Sequence, residues 1–130
     1  MKCQDRKLSG AVVVDVEGKL IGGPDSGEFH GLIKRLLEDG EKRIVINLGE
    51  TPWASSQGIG LLIGALTSVT NAGGKLALAQ AGERIQDVLK VTRLYMIFDS
   101  FNSIDDAVKN LLSGDGGSAR IAGTRSIEPV

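Results

Sequence analysis

The hydrophobic pattern of the chain starts at period two and then changes. In AVVVDVEGKLIGG, residues 11 to 23, Val12, Val14 and Val16 recur at alternate positions, as in a strand with one face on a core. We read this stretch as two short strands meeting at Glu17-Gly18, an antiparallel hairpin. PDSGEFHGLIKRLLEDG then moves to the helical period, with Phe29, Leu32, Ile33, Leu36 and Leu37 on one stripe. Asp25 followed by Glu28 forms a capping box, and Gly40 supplies a stop. KRIVINLG is nearly continuous in apolar residues, which suits a central strand covered on both faces.

After the loop ETPWAS, the stretch SQGIGLLIGALTSVTNAGG reads as a helix closed by Gly73-Gly74, and KLALA as the next strand. ERIQDVLKVTRL is helical with Ile85, Val88 and Leu89 inward. MIFDSF is briefly extended. SIDDAVKNLL repeats the helical stripe, with Ser103 able to cap it. SGDGGSARIAGTRSIEPV has no period, and its glycine and small polar residues read as a mobile tail. The predicted order is β-β-α-β-α-β-α-β-α, an α/β fold with a mixed sheet of four to five strands and four helices. It divides into an N-terminal segment 1–9, a single domain 10–112 and a tail 113–130.

Composition narrows the functions available. The 130 residues suffice for one domain with a core of its own, and 42% hydrophobic with 24% charged residues is an ordinary globular balance. The net charge is −1, with both signs interspersed, so there is no basic field to hold nucleic acid. The Lys-Arg pairs at 34–35 and 42–43 alternate with acids and read as a solvated face. No run approaches the roughly 20 apolar residues that span a bilayer. Cys3 is the single cysteine, which excludes an intrachain disulfide and fits a reducing cytoplasm. His30 is the single histidine, so a zinc site or a Ser-His pair would depend on that one ring.

The candidate chemistry lies in WASSQGIGLL, residues 53 to 62. Gly58, Gly60 and Gly64 have a superficial likeness to a dinucleotide-binding turn. The spacing, however, is one residue too long, and KLALAQ ends without the acid that would hold a ribose hydroxyl. No Gly-Lys-Ser/Thr follows for a Walker loop. The glycines can equally let one helix face pack closely on the sheet. A nucleophilic serine would need a base and oxyanion donors, and G-x-S-x-G is absent. A third reading uses position: Ser55 or Ser56 sits where an N-cap belongs, either as a plain cap or as a serine that receives a phosphate. A dianion there is favoured by the helix dipole, yet it would spoil a desolvated contact with a partner. Trp53 either presents a partner surface or fills the core. Asp25 and Ser26 open the first helix at the same end of the sheet as Ser56, where they cap and can add partner contacts.

RIVINLGETPWASSQGIGLLIGALTSVTNAGGKLALAQAGERIQDVLKVTRLYMIFDSFNSIDDAV resembles the STAS domain, the family named for sulfate transporters and anti-sigma factor antagonists. In that family an apolar strand leads to aspartate, serine, a small residue, glycine, an aliphatic residue and glycine. An apolar helix and a Gly-Gly-Lys-Leu-like turn follow. The resemblance covers residues 10 to 112. Aligning Gly58-Ile59-Gly60 with the motif puts Ser56 at the family's phosphorylated serine, Gln57 at its small residue and Ser55 at its aspartate. It implies a binding module that is not itself an enzyme and needs no cofactor. Its partner would be an anti-sigma factor that is also an ATP-using serine kinase, and a serine phosphatase would reverse the modification. Ser55, Ser56, Gln57, Gly58 and Gly60 would form the partner-binding surface with Asp25, Ser26 and Trp53. Two departures, Ser55 for the acid and Gln57 for the small residue, make Ser55 a fallback acceptor. They also leave open a STAS domain that docks without phosphorylation, as a scaffold or lipid-transport ATPase subunit.

Overall fold

Val13 and Val45 each sit beside residues of opposite facing that are just as buried, so their strands need cover on both sides. The computed structural model describes residues 2–23 and 26–113. Its elements are β1 (Lys2–Leu8), β2 (Ala11–Glu17), α1 (Ser26–Glu38), β3 (Arg43–Glu50), α2 (Ser56–Asn71), β4 (Lys75–Ala79), α3 (Glu83–Val91), β5 (Asp99–Phe101) and α4 (Ile104–Leu112), with a 3-10 turn at Leu94–Met96. The sheet order is β1-β2-β3-β4-β5. β1 runs antiparallel to β2, and the other neighbours are parallel. This is the predicted α/β fold, with five strands and four helices among the described residues.

Alternation along the strands assigns the two faces. Val12, Val14, Val16, Ile44, Ile46, Leu48, Leu76 and Leu78 meet the apolar stripes of α1, α2 and α3 in the larger core. Ala11, Val13, Val45, Ala77 and Ala79 meet Ala107, Val108 and Leu111 of α4 in the smaller one. The alanines on this second face let a single helix lie close to the sheet. Ile44, Val45 and Ile46 are fully buried, and each such side chain contributes about 1.5–3 kcal/mol relative to exposure.

The first hairpin is not where the apolar alternation placed it. Its turn is Ser9-Gly10, with φ of 53° and 91°, the positive pair a two-residue hairpin turn demands. Lys2–Leu8, within the segment expected to precede the domain, therefore form the edge strand β1. At Glu17-Gly18 the chain does not turn back. Gly18, at φ 95°, donates its N–H to Glu50 O at 3.0 Å, so the chain continues beside the segment after β3. α3 also stops short of the expected Leu94, because Arg93 takes φ 62° and the 3-10 turn follows. The extended piece is accordingly reduced to β5.

Helix ends follow the glycines. Gly73 at φ 84° donates to Thr70 O, and Gly74 N donates to Val69 O at 2.8 Å, a Schellman closure of α2. Gly40 and Glu41 close α1 in the same way, on Leu37 O and Leu36 O. Ser103 Oγ accepts from Asp106 N at 3.0 Å and caps α4 as expected. The Asp25 half of the proposed capping box, and the tail from residue 114 on, lie outside the described residues.

Candidate functional site

α1 and α2 each follow a parallel strand, β2 and β3, so both begin at the carboxyl edge of the sheet. Two segments meet between those helix starts. Leu20 N donates to Trp53 O at 3.1 Å, and Ser55 N donates to Leu20 O at 3.0 Å. Leu20 and Ala54 are thus bridge partners in a short parallel ladder. Both point inward and are buried, at 0% and 8% exposure. Below them, Thr51 is buried and donates its hydroxyl to Val16 O at 2.8 Å, which ties the loop after β3 to β2.

On this platform the two serines are not equivalent. Ser55 is the N-cap of α2, with φ −83° and ψ 174°. Its Oγ accepts from Gly58 N at 3.1 Å and donates to Ile21 O at 3.3 Å. Capping by a serine hydroxyl satisfies one of the orphan N–H groups of the first turn. Ser56 is the first helical residue and is exposed. Its side chain has no hydrogen-bond partner among the described residues.

Gly58 is buried, and its reason is steric. A β-carbon there would lie 1.7 Å from Leu20 O. Only a glycine lets the helix start come down onto the 20–22 segment, so this residue, expected to face a partner, faces the fold. Gly22, at φ 80°, makes room on the other side, where a β-carbon would lie 3.0 Å from Gln57 Cβ. Gly60 is exposed, and a β-carbon there would meet nothing within 4 Å.

Trp53 is half-buried, and Lys19 Nζ stands 5.8 Å from its ring centroid. Ser26 opens α1 and is half-buried. The structure thus gathers Trp53, Ser55, Ser56 and Gln57 on one platform and sets Ser26 at the same sheet edge. Lys19, Ile21 and Gly22 complete the platform and were missed in the sequence, where KLIGG reads as a strand of a hairpin. The sequence carried no clear signal for them, because Lys19, Leu20 and Ile21 alternate in exposure but not in polarity.

His30, the single histidine, does not stand beside Ser56. A β-carbon at Gly64 would lie 3.0 Å from His30 Cε1. That places the imidazole against α2 two turns beyond Ser56, about 12 Å along the axis. Among the described residues no group of histidine, cysteine and acidic side chains could hold a metal, and no helix is long and apolar enough to cross a membrane. A shifted carboxyl, Asp15, lies elsewhere. Burial pushes Asp15 up, but hydrogen bonds from Arg6 and Asn47 and the Arg6 charge outweigh it and hold the group below its usual range.

Known proteins resemble this chain in sequence and in fold. A candidate anti-sigma factor antagonist of Thermotoga neapolitana is 29% identical over 75 residues, which is 58% of this chain and 66% of that protein, just under two thirds of its length. The crystal structure of an anti-sigma factor antagonist from Mycobacterium paratuberculosis superposes with a TM-score of 0.74 at 20% identity, covering 85% of this chain and 92% of that one. SpoIIAA of Bacillus, solved in its phosphorylated form, superposes with a TM-score of 0.65 at 17% identity, covering 83% and 97%. At these identities the structural likeness is one of fold. The family model for the STAS domain matches residues 2–107, from β1 into α4 and across the whole Ser55–Ser56 platform, and the chain belongs to that family.

Proposed function

We propose that this chain is an anti-sigma factor antagonist that switches partners through phosphorylation of Ser56. The observation that carries the reading is the contrast between two adjacent hydroxyls. Ser55 Oγ is committed to Gly58 N and Ile21 O, while the Ser56 hydroxyl stands exposed at the first position of α2. The unmodified protein binds an anti-sigma factor that is also a serine kinase, and so frees the sigma factor for transcription. In the modification step Ser56 Oγ attacks the γ-phosphorus of ATP. The new O–P bond forms as the bond to the bridging oxygen of ADP breaks, and the hydroxyl proton passes to a base of the kinase. The dianion then sits in the contact surface and releases the kinase, and a serine phosphatase restores the hydroxyl. A 100-fold loss of affinity requires only about 2.7 kcal/mol. The protein is a substrate and a binding module in this scheme, and the nucleotide belongs to its partner.

Partner contact is assigned to Trp53, Ser55, Ser56 and Gln57, with Ser26 and Gly60 around them; Asp25, assigned with them from the sequence, lies outside the described residues. One feature favours a second reading, a docking or scaffold subunit that is never phosphorylated: a serine at 55 removes the carboxylate that the family carries beside its acceptor. One experiment separates the two. The purified protein is incubated with each anti-sigma serine kinase of its host and ATP, and intact mass and peptide mapping are recorded. A single phosphate on Ser56, absent in Ser56→Ala, together with kinase binding that survives Ser56→Ala and is lost in Ser56→Glu, supports the switch. No added mass with any kinase, and binding indifferent to Ser56→Glu, supports constitutive docking.

A further inference from the structure

The short ladder beside α2 sorts its side chains at period two. Leu20 and Ala54 point inward, so Lys19 and Ile21 on one segment, and Trp53 and Ser55 on the other, share the outer side. Lys19 is exposed. Its ammonium lies 5.8 Å from the Trp53 ring centroid, and no carboxylate pairs with it among the described residues. An exposed ammonium beside the half-buried indole is held there only by the ring quadrupole. The residue after Lys19 accepts Ser55 N at 3.0 Å. A flexible four-carbon stem is therefore anchored one residue from the backbone that leads directly into Ser56.

Resting on the reading of Ser56 as the acceptor, we propose that Lys19 is the counterion of the phosphoryl group on Ser56. In the unmodified protein the ammonium rests on Trp53. When Ser56 carries a phosphate of about −1.5 to −2 charges, the ammonium turns to it, because a charge-assisted hydrogen bond to phosphate is stronger than an exposed cation–π contact. Phosphorylation then changes the platform twice over. It adds an anion at the helix start and removes a cation from the tryptophan face, so a partner seated on both would lose both contacts. The Ser55 cap is left in place, since neither of its hydrogen bonds involves Ser56 Oγ or Lys19 Nζ.

The test needs no kinase. Phosphoserine is installed at position 56 of the full chain during translation, with Lys19 retained or replaced in Lys19→Gln and Lys19→Arg. The second ionisation of the phosphate is followed by phosphorus NMR against pH. A paired ammonium favours the dianion, so this ionisation should fall about half a pH unit lower with Lys19 than in Lys19→Gln. Lys19→Arg should restore most of the difference. The helix start is common to all three proteins and cancels in the comparison. Equal values with and without Lys19 overturn the proposal, and leave the assignment of Ser56 as acceptor standing. A kinase assay that never modifies Ser56 fells that assignment instead, without altering the measured pairing.

Discussion

Leu20 and Gly58 touch backbone to backbone: the Leu20 carbonyl oxygen lies 1.7 Å from where a β-carbon on Gly58 would stand. No rotamer relieves that contact, because the obstructing atom is main chain and is also the acceptor of Ser55 N. Gly58→Ala must push the first turn of α2 off the 20–22 segment, and we expect it to cost about 1–3 kcal/mol. Gly60→Ala is the control. Nothing lies within 4 Å of its β-carbon, so the usual helix-interior gain of alanine, about 0.5–1 kcal/mol, should appear. Urea unfolding of both variants reads the opposite signs, and two equal effects would mean that the close approach at Leu20 is not specific.

The two serines should separate in stability as they do in geometry. Ser55→Ala removes the acceptor of Gly58 N and should cost about 1 kcal/mol. Ser56→Ala removes an exposed hydroxyl with no partner among the described residues, and should stay within about 0.5 kcal/mol. Thermal unfolding decides, and a cost at Ser56 equal to that at Ser55 would show that the capping role is shared.

Much of this arrangement could be read before any coordinates. KRIVINLG announces a strand buried on both sides because its apolar run is nearly unbroken, and Ser55-Ser56 announces a helix start because short hydroxyls prefer that position. β1 stayed hidden for a physical reason. Its side chains work by charge, Asp5 with Arg35 at 3.0 Å and Lys7 with Glu41 at 3.0 Å, so KCQDRKL carries no alternating apolar signal. Charged edge strands also resist pairing with other chains. Lys19 was hidden because its partner Trp53 is brought to it only by the single Leu20–Ala54 bridge, a pairing too short to leave a pattern.

Arg6 and Asp15 make the fold sensitive to acid. Arg6 Nε donates to Asp15 Oδ2 at 2.8 Å, and Asn47 Nδ2 donates to Asp15 Oδ1 at 2.7 Å. The folded carboxyl ionises below its unfolded value of about 3.9. The pair therefore contributes its full stability above that value and loses it as pH falls through the lower, folded one. Arg6 is 49% exposed, which limits the contribution to about 1 kcal/mol or less. Arg6→Ala should be less stable than the parent at pH 7, and the gap should close on acidification below pH 4. A gap that persists at pH 2 would assign the effect of Arg6 to packing of its stem rather than to its charge.

Ser56→Glu tests whether negative charge at this point spares the domain, on which the whole switch depends. The first turn of α2 contains no acidic residue, so it carries no carboxylate of its own to compete for its free N–H groups. An anion placed there should stabilise the helix by about 0.3–1 kcal/mol. For a domain of this size that is a rise of at most a few degrees in Tm. Ser56→Lys should move Tm down by a similar amount, and added salt should bring the two variants together, because the interaction is exposed and screened. Scanning calorimetry at low and high ionic strength measures both. The sign matters more than the size. If Ser56→Glu melts no earlier than the parent yet no longer binds the kinase, the charge acts on the encounter. If it melts several degrees earlier, loss of binding would follow from loss of fold, and the exposed hydroxyl at the head of α2 would not be a switch.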